Sequence, residues 1–280
     1  MISLPGGLSE LRGQYDALLC DVWGVIHNGR ESFPAAIEAL LRWQAEVGPV
    51  VLISNEPRPS TAIHSQLEHY KVPRQAWTAF VTSGDATRTL MAERSPGPCW
   101  RIGPDRDWPL YEGLGMVFAE PEEAAFVGVS GPYDDETETP EDYRERFQVA
   151  VDRGLEMICA NPDRVVQRGD QLIYCGGALA DLYEAMGGKV TMVGKPYKPI
   201  YDLALQEAGD VARDRVLCIG DGVITDIKGA ADQGLDCLFI AKGIHGEAAM
   251  RDGRLDAGLV EGLLAEEDVT AKYAMSDLVW

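Results

Sequence analysis

The sequence predicts an α/β protein: a parallel sheet covered on both faces, interrupted by a separate, inserted α/β unit. Three observations lead there. Near-continuous apolar runs of strand length alternate with runs of helical period at both ends of the chain, the pattern of strands buried on both faces. Residues from about 83 to 188 carry their own, shorter strand candidates. A length of 280 residues suits two modest domains.

At the start, "YDALLCDVW" reads as a strand and "PAAIEALLRWQAEVG" as a helix opened by Pro34. "PVVLIS" is the next strand and "STAIHSQLEHY" the next helix. The end repeats the alternation. "KVTMVG" precedes the helical "KPIYDLALQEAG", "RVLCIG" precedes "ITDIKGAADQG", and "LDCLFIA" follows a glycine boundary. The core is therefore assigned to 1–82 and 189–280 and the insert to 83–188. Within the insert, "CWRIG", "MVFA", "FVGVS", "LEMICA" and "QLIY" are strand candidates, with helices near 84–93 and 140–153.

Composition narrows the function classes. Forty-five acidic against 25 basic residues give a formal net charge of −20, a field that repels nucleic-acid backbones and anionic membranes. Neither is expected as a partner. The same field opposes a phosphorylated substrate, so a site for one needs a local cation. The six cysteines lack metal-ligand spacing, and four of them sit in apolar runs, as reduced buried thiols do. With "MISLPGGLSELRG" unlike a signal peptide and no 18-residue apolar run, a cytoplasmic protein is expected.

In an open parallel sheet, ligands collect beyond the carboxyl ends of the strands. There the sequence offers Asp21 after the first strand, Ser54 and Asn55 after the second, Lys195 after the insert, then Asp221 and Asp226. Acids, a hydroxyl and an ammonium in this order suit metal-assisted phosphoryl transfer. An aspartate can attack phosphorus once the anionic repulsion is cancelled, and three clustered carboxylates themselves call for magnesium. Taken singly, each residue has an ordinary reading as a cap, a turn or a surface charge.

"LLCDVWGVI", "VLISN", "VGKPYKPIYDLAL" and "CIGDGVITDIKGA" resemble the four ordered motifs of the haloacid dehalogenase superfamily of phosphohydrolases. "FVTSGDATRTLM", "MICANPDRV" and "CGGALADLYEAMGGKVTMVGKP" resemble its class IIA, NagD-like branch, in which an α/β cap lies between the second and third motifs. The resemblance spans nearly the whole chain and implies a Rossmann-like core, discontinuous in sequence. It implies Asp21 as nucleophile, Ser54 and Lys195 on the transferring phosphoryl group, and Asn55 flanking it. Magnesium would be held by Asp21, the backbone carbonyl of Trp23, Asp221 and Asp226. A small phosphate monoester is the substrate class implied, and a homodimer through the cap the assembly.

One position departs from the pattern. Phosphatases of the family usually carry a second aspartate two residues after the nucleophile, as acid and then base, and here that residue is Trp23. General acid–base help contributes roughly 100- to 10,000-fold. His27, Asp85 and Glu56 are candidate substitutes, and a good leaving group such as an acyl phosphate would relax the need. Trp23 either stacks on a planar substrate ring or packs against the cap. Arg58, in "SNEPRPS", either reaches a substrate anion or is a surface charge, and Lys198 is a weaker case of the same choice. Asn161 and Asp163 of "ANPD" are either structural or substrate-adjacent, and the commonness of Asx-Pro turns favours structure. Besides a magnesium-dependent monoester hydrolase, a catalytically impaired ester-binding protein and a phosphotransferase fit the Trp23 departure.

Overall fold

Ala17–Asp21, Val50–Ser54, Ala79–Thr82, Cys99–Ile102, Phe126–Val129, Glu156–Cys159 and Val165–Arg168 form strands β1 to β7. Gln171–Tyr174, Lys189–Met192, Val216–Gly220, Asp236–Ile240, Met250–Arg251, Arg254–Leu255 and Tyr273–Met275 form β8 to β14. The α-helices α1 to α8 are Pro34–Glu46, Ser60–His69, Ser83–Ala92, Arg144–Asp152, Gly176–Ala185, Lys198–Glu207, Lys228–Asp232 and Ala257–Glu266. These come from a computed structural model, which describes residues 1–168, 171–243, 246 and 248–280. The chain divides into two compact units. One comprises Met1–Ser54, His64–Val81 and Tyr201–Trp280, the other Asn55–Ile63 and Thr82–Ile200.

The first unit holds a six-stranded sheet in the order β14-β11-β10-β1-β2-β3. The pairings β14–β11, β11–β10, β10–β1 and β1–β2 are parallel. All five residues of β1 and of β10 are buried, as their unbroken apolar runs require of central strands. The chain runs outward from β1 to β2 and β3 on one side, and from β10 to β11 and β14 on the other. A switch point therefore lies between β1 and β10, where loops diverge and leave room for a ligand. Pro34 opens α1, which buries Ala36, Ile37, Leu40 and Trp43.

The second unit is built on a four-stranded parallel sheet, β4-β5-β6-β9, and an antiparallel hairpin, β7–β8. Its core gathers Trp100, Val127, Phe147, Met157, Leu179 and Tyr183. Lys189–Met192, read from sequence as a core strand, pairs instead with Glu156–Cys159 of this sheet. Thr191 donates to the Glu156 carboxylate (2.6 Å) and Lys189 lies 3.3 Å from it, cross-strand contacts that an apolar pattern does not encode. "MVFA" forms no strand, since Val117 and Phe118 are exposed and only Phe118 makes a single bridge, to Cys99. β3, β7, β12, β13 and β14 had no counterpart in the sequence reading.

All six cysteines are buried and outside any disulfide. Among the described residues no helix is long and apolar enough to cross a membrane.

Candidate active site

Asp21 is the last residue of β1 and faces Ile53 in the neighbouring strand, so Ser54 stands one residue further out along the same edge. Asp221 follows Gly220, the last residue of β10. Asp226 sits in a π-helical turn, Val223–Ile227, where the sequence pattern reads as ordinary helix. Its Oδ2 accepts a hydrogen bond from the Gly222 N–H at 3.0 Å. All three carboxylates are buried, and their oxygens come within 4.8 Å of one another. Buried like charges this close repel, and an all-oxygen donor set of this kind fits a hard divalent cation.

Glycines make the cluster possible. A Cβ at Gly24, whose φ is +83°, would lie 2.0 Å from Asp221 Oδ2, and one at Gly243 would lie 1.9 Å from the same atom. A Cβ at Gly220 would meet Asp226 Cγ at 2.2 Å. Backbone walls that close admit only glycine. The sequence reading missed these three positions, although "DVWG", "CIGDG" and "AKG" carry the signal.

The loop after β1 turns back on itself: Gly24 N–H donates to the His27 carbonyl (2.8 Å) and Ile26 N–H to that of Val22 (2.9 Å). His27 is buried, its Nδ1 accepts from the Gly29 N–H (3.1 Å), and its ring stacks on Tyr70 at 4.1 Å. Burial pushes its pKa down to about 4. A neutral ring with Nδ1 so engaged is a brace for the loop. Trp23 meets His27 edge-on at 5.3 Å and is half exposed.

In the second unit Lys195 is buried just past β9. Asn55 clamps its backbone: Oδ1 accepts from Lys195 N–H (2.7 Å), while Nδ2 donates to the Lys195 carbonyl (3.1 Å) and to Asp163 Oδ1 (2.9 Å). Asn55 thus has a positioning role that the sequence did not suggest, and Asp163 belongs to the same network. Arg58 is bound to Glu56 through Nε–Oε1 (2.6 Å) and Nη2–Oε2 (3.1 Å). That bond raises its pKa. Asp85 forms the capping box of α3 with Thr82 and also accepts from Ser60 N–H (3.1 Å). Glu56 and Asp85, candidate proton carriers by sequence, are engaged in these contacts. Lys198 opens α6 and is exposed.

Comparisons with known proteins bear on the family and the fold. A family model described as haloacid dehalogenase-like hydrolase matches residues 18–117, and a HAD-hydrolase-like model matches 192–264. A crystal structure of a haloacid dehalogenase-like hydrolase from Brucella suis 1330 is 45% identical, with a TM-score of 0.84 over 99% of this chain and 100% of that one. Ribonucleotide monophosphatase NagD of Escherichia coli strain K12 is 25% identical over 81% of this chain and 88% of its own. A glycerol phosphate phosphatase from Mycobacterium tuberculosis, solved in complex with calcium, shares the fold at 22% identity and a TM-score of 0.64, over 82% of this chain and 67% of that one. Both halves of the split core are matched and one homologous structure is covered end to end, so the chain belongs to the haloacid dehalogenase-like hydrolases, on their NagD-like branch.

Proposed function

We propose that the protein is a magnesium-dependent hydrolase of small phosphate monoesters that works through an aspartyl-phosphate on Asp21. The observation that carries this reading is the buried cluster of Asp21, Asp221 and Asp226 at the switch point of the first sheet. Asp21, the Trp23 carbonyl, Asp221 and Asp226 would hold the ion, which supplies charge neutralisation and orients phosphoryl oxygens. An Asp21 carboxylate oxygen attacks phosphorus and the bond to the ester oxygen breaks. The Ser54 hydroxyl and the Lys195 ammonium take the phosphoryl oxygens, and Asn55 fixes the backbone from which Lys195 projects. Water then attacks phosphorus, and Asp21 leaves as the free carboxylate.

Phosphate release from a panel of monoesters, with and without magnesium, tests this. Magnesium-dependent release that Asp21→Asn abolishes is expected. No release by the native chain, in the face of magnesium-dependent binding of an ester, would overturn it.

A second reading rests on Trp23. With Glu56 paired to Arg58 and Asp85 in a capping box, the chain could accept a phosphoryl group and release it slowly, or pass it to an acceptor other than water. Acid quenching during turnover, which traps the aspartyl-phosphate, and rate acceleration by an added alcohol distinguish these behaviours.

A further inference from the structure

Trp23 stands two residues beyond Asp21 on the loop that closes the carboxyl end of β1. Its indole keeps 50% of its surface exposed, yet it is held firmly from behind. A Cβ at Gly29, whose φ is +81°, would lie 2.2 Å from the indole Cη2, so the backbone there runs directly against the ring. His27 meets the indole at 76° and in turn lies nearly parallel to Tyr70, at 19°. The Tyr70 hydroxyl donates to the Gly29 carbonyl at 2.8 Å, which locks the glycine under the ring. An exposed aromatic braced in this way, two residues along the chain from the proposed nucleophile, offers a preformed stacking face.

In the family pattern that the sequence resembles, the aspartate that protonates the departing ester oxygen stands at this position, where the chain has Trp23. The loop from Val22 to Phe33 carries two other side chains able to move a proton, His27 and Glu31. His27 is buried with Nδ1 engaged, and Glu31 is exposed. The loop thus supplies no ready proton to a leaving oxygen. A phenol-type oxygen, with a pKa of about 10, tolerates that far better than an alkoxide.

We propose that Trp23 restricts the enzyme to phosphate monoesters of ring hydroxyls, stacking the planar leaving group while it departs as the aryloxide anion. This rests on the phosphatase reading of Asp21. In the first step a bond forms between Asp21 and phosphorus, and the bond from phosphorus to the aryl oxygen breaks. Its electron pair stays on that oxygen, which takes a proton from solvent later. The second step, attack of water on the aspartyl-phosphate, lacks a base and limits kcat, whereas kcat/KM reports the first step.

The test measures kcat/KM across substituted phenyl phosphates and simple alkyl phosphates, with a rapid-mixing record of aryloxide release. Expected are a burst of about one equivalent of aryloxide and a kcat/KM that falls more than ~100-fold from aryl to alkyl esters. Trp23→Leu lowers kcat/KM on the aryl esters by up to ~10-fold through lost stacking. Trp23→Asp, which restores an acid, raises the alkyl-to-aryl ratio at least ~10-fold. Comparable cleavage of alkyl and aryl esters by the native chain would leave the phosphatase reading standing and overturn this inference. Inertness toward even the most activated aryl phosphate, with no burst, would overturn both.

Discussion

Asn55 and His27 show how single side chains hold this site in shape. Asn55 is buried and meets both the N–H and the carbonyl of Lys195, so Asn55→Ala removes two buried hydrogen bonds. A loss of about 1–3 kcal/mol follows, together with a lower kcat/KM because Lys195 loses its fixed backbone. Urea midpoints and steady-state kinetics on one preparation check both effects. His27 predicts a pH dependence. Its folded-state pKa is held by burial at about 4, below the ordinary 6.5, so the folded chain resists a proton that the unfolded chain accepts. Stability is present in full above pH 6.5 and declines as the pH falls from there toward 4, by at most roughly 3 kcal/mol. His27→Phe keeps an aromatic between Trp23 and Tyr70 and removes the titration. Its urea midpoint should change less between those two pH values than that of the native chain, and an equal change would place the acid sensitivity elsewhere.

At the scale of elements, β9 links the second sheet to Lys195. Glu156, on the facing strand β6, accepts from Thr191 and from Arg94 and lies beside Lys189. These contacts, the Thr191 hydrogen bond foremost, bring its pKa down to about 2 against the opposing effect of burial. Its contribution is present above the ordinary carboxylate pKa and is lost as pH falls toward 2. Glu156→Gln should lower the thermal midpoint modestly at neutral pH and raise KM by loosening β9, both read from melting curves and kinetics. Unbroken apolar runs made β1, β2, β10 and β11 legible in the sequence, because a strand buried on both faces has no other composition. The same runs drew attention to the acids around their ends, and Asp21, Asp221 and Asp226 do come together. The partner of β9 was not legible, since Lys189–Met192 is an edge strand whose place is decided by polar contacts with Glu156. Nor was the π-helical turn at Val223–Ile227, which depends on Asp226 bonding back to Gly222.

For the whole molecule the dominant electrostatic fact is a formal charge of −20, with three of the carboxylates buried together. Folding brings Asp21, Asp221 and Asp226 within 4.8 Å of one another, which the unfolded chain avoids, so without a cation the native state carries their mutual repulsion. A divalent ion that binds the folded cluster and not the unfolded chain adds stability by mass action, about 2.7 kcal/mol at a hundredfold excess over its Kd. Magnesium should therefore raise the melting temperature with a logarithmic dependence on its concentration, and a chelator should reverse the shift. Asp226→Asn separates the two contributions. It removes one of the repelling charges and one ligand, so the variant should melt higher than the native chain in chelator while responding little to magnesium. A variant that melts lower in chelator would show that Asp226 stabilises the fold mainly through its hydrogen bond to Gly222. A variant that keeps the full magnesium response would place the ion away from this cluster, and with it the charge neutralisation that the proposed attack by Asp21 needs.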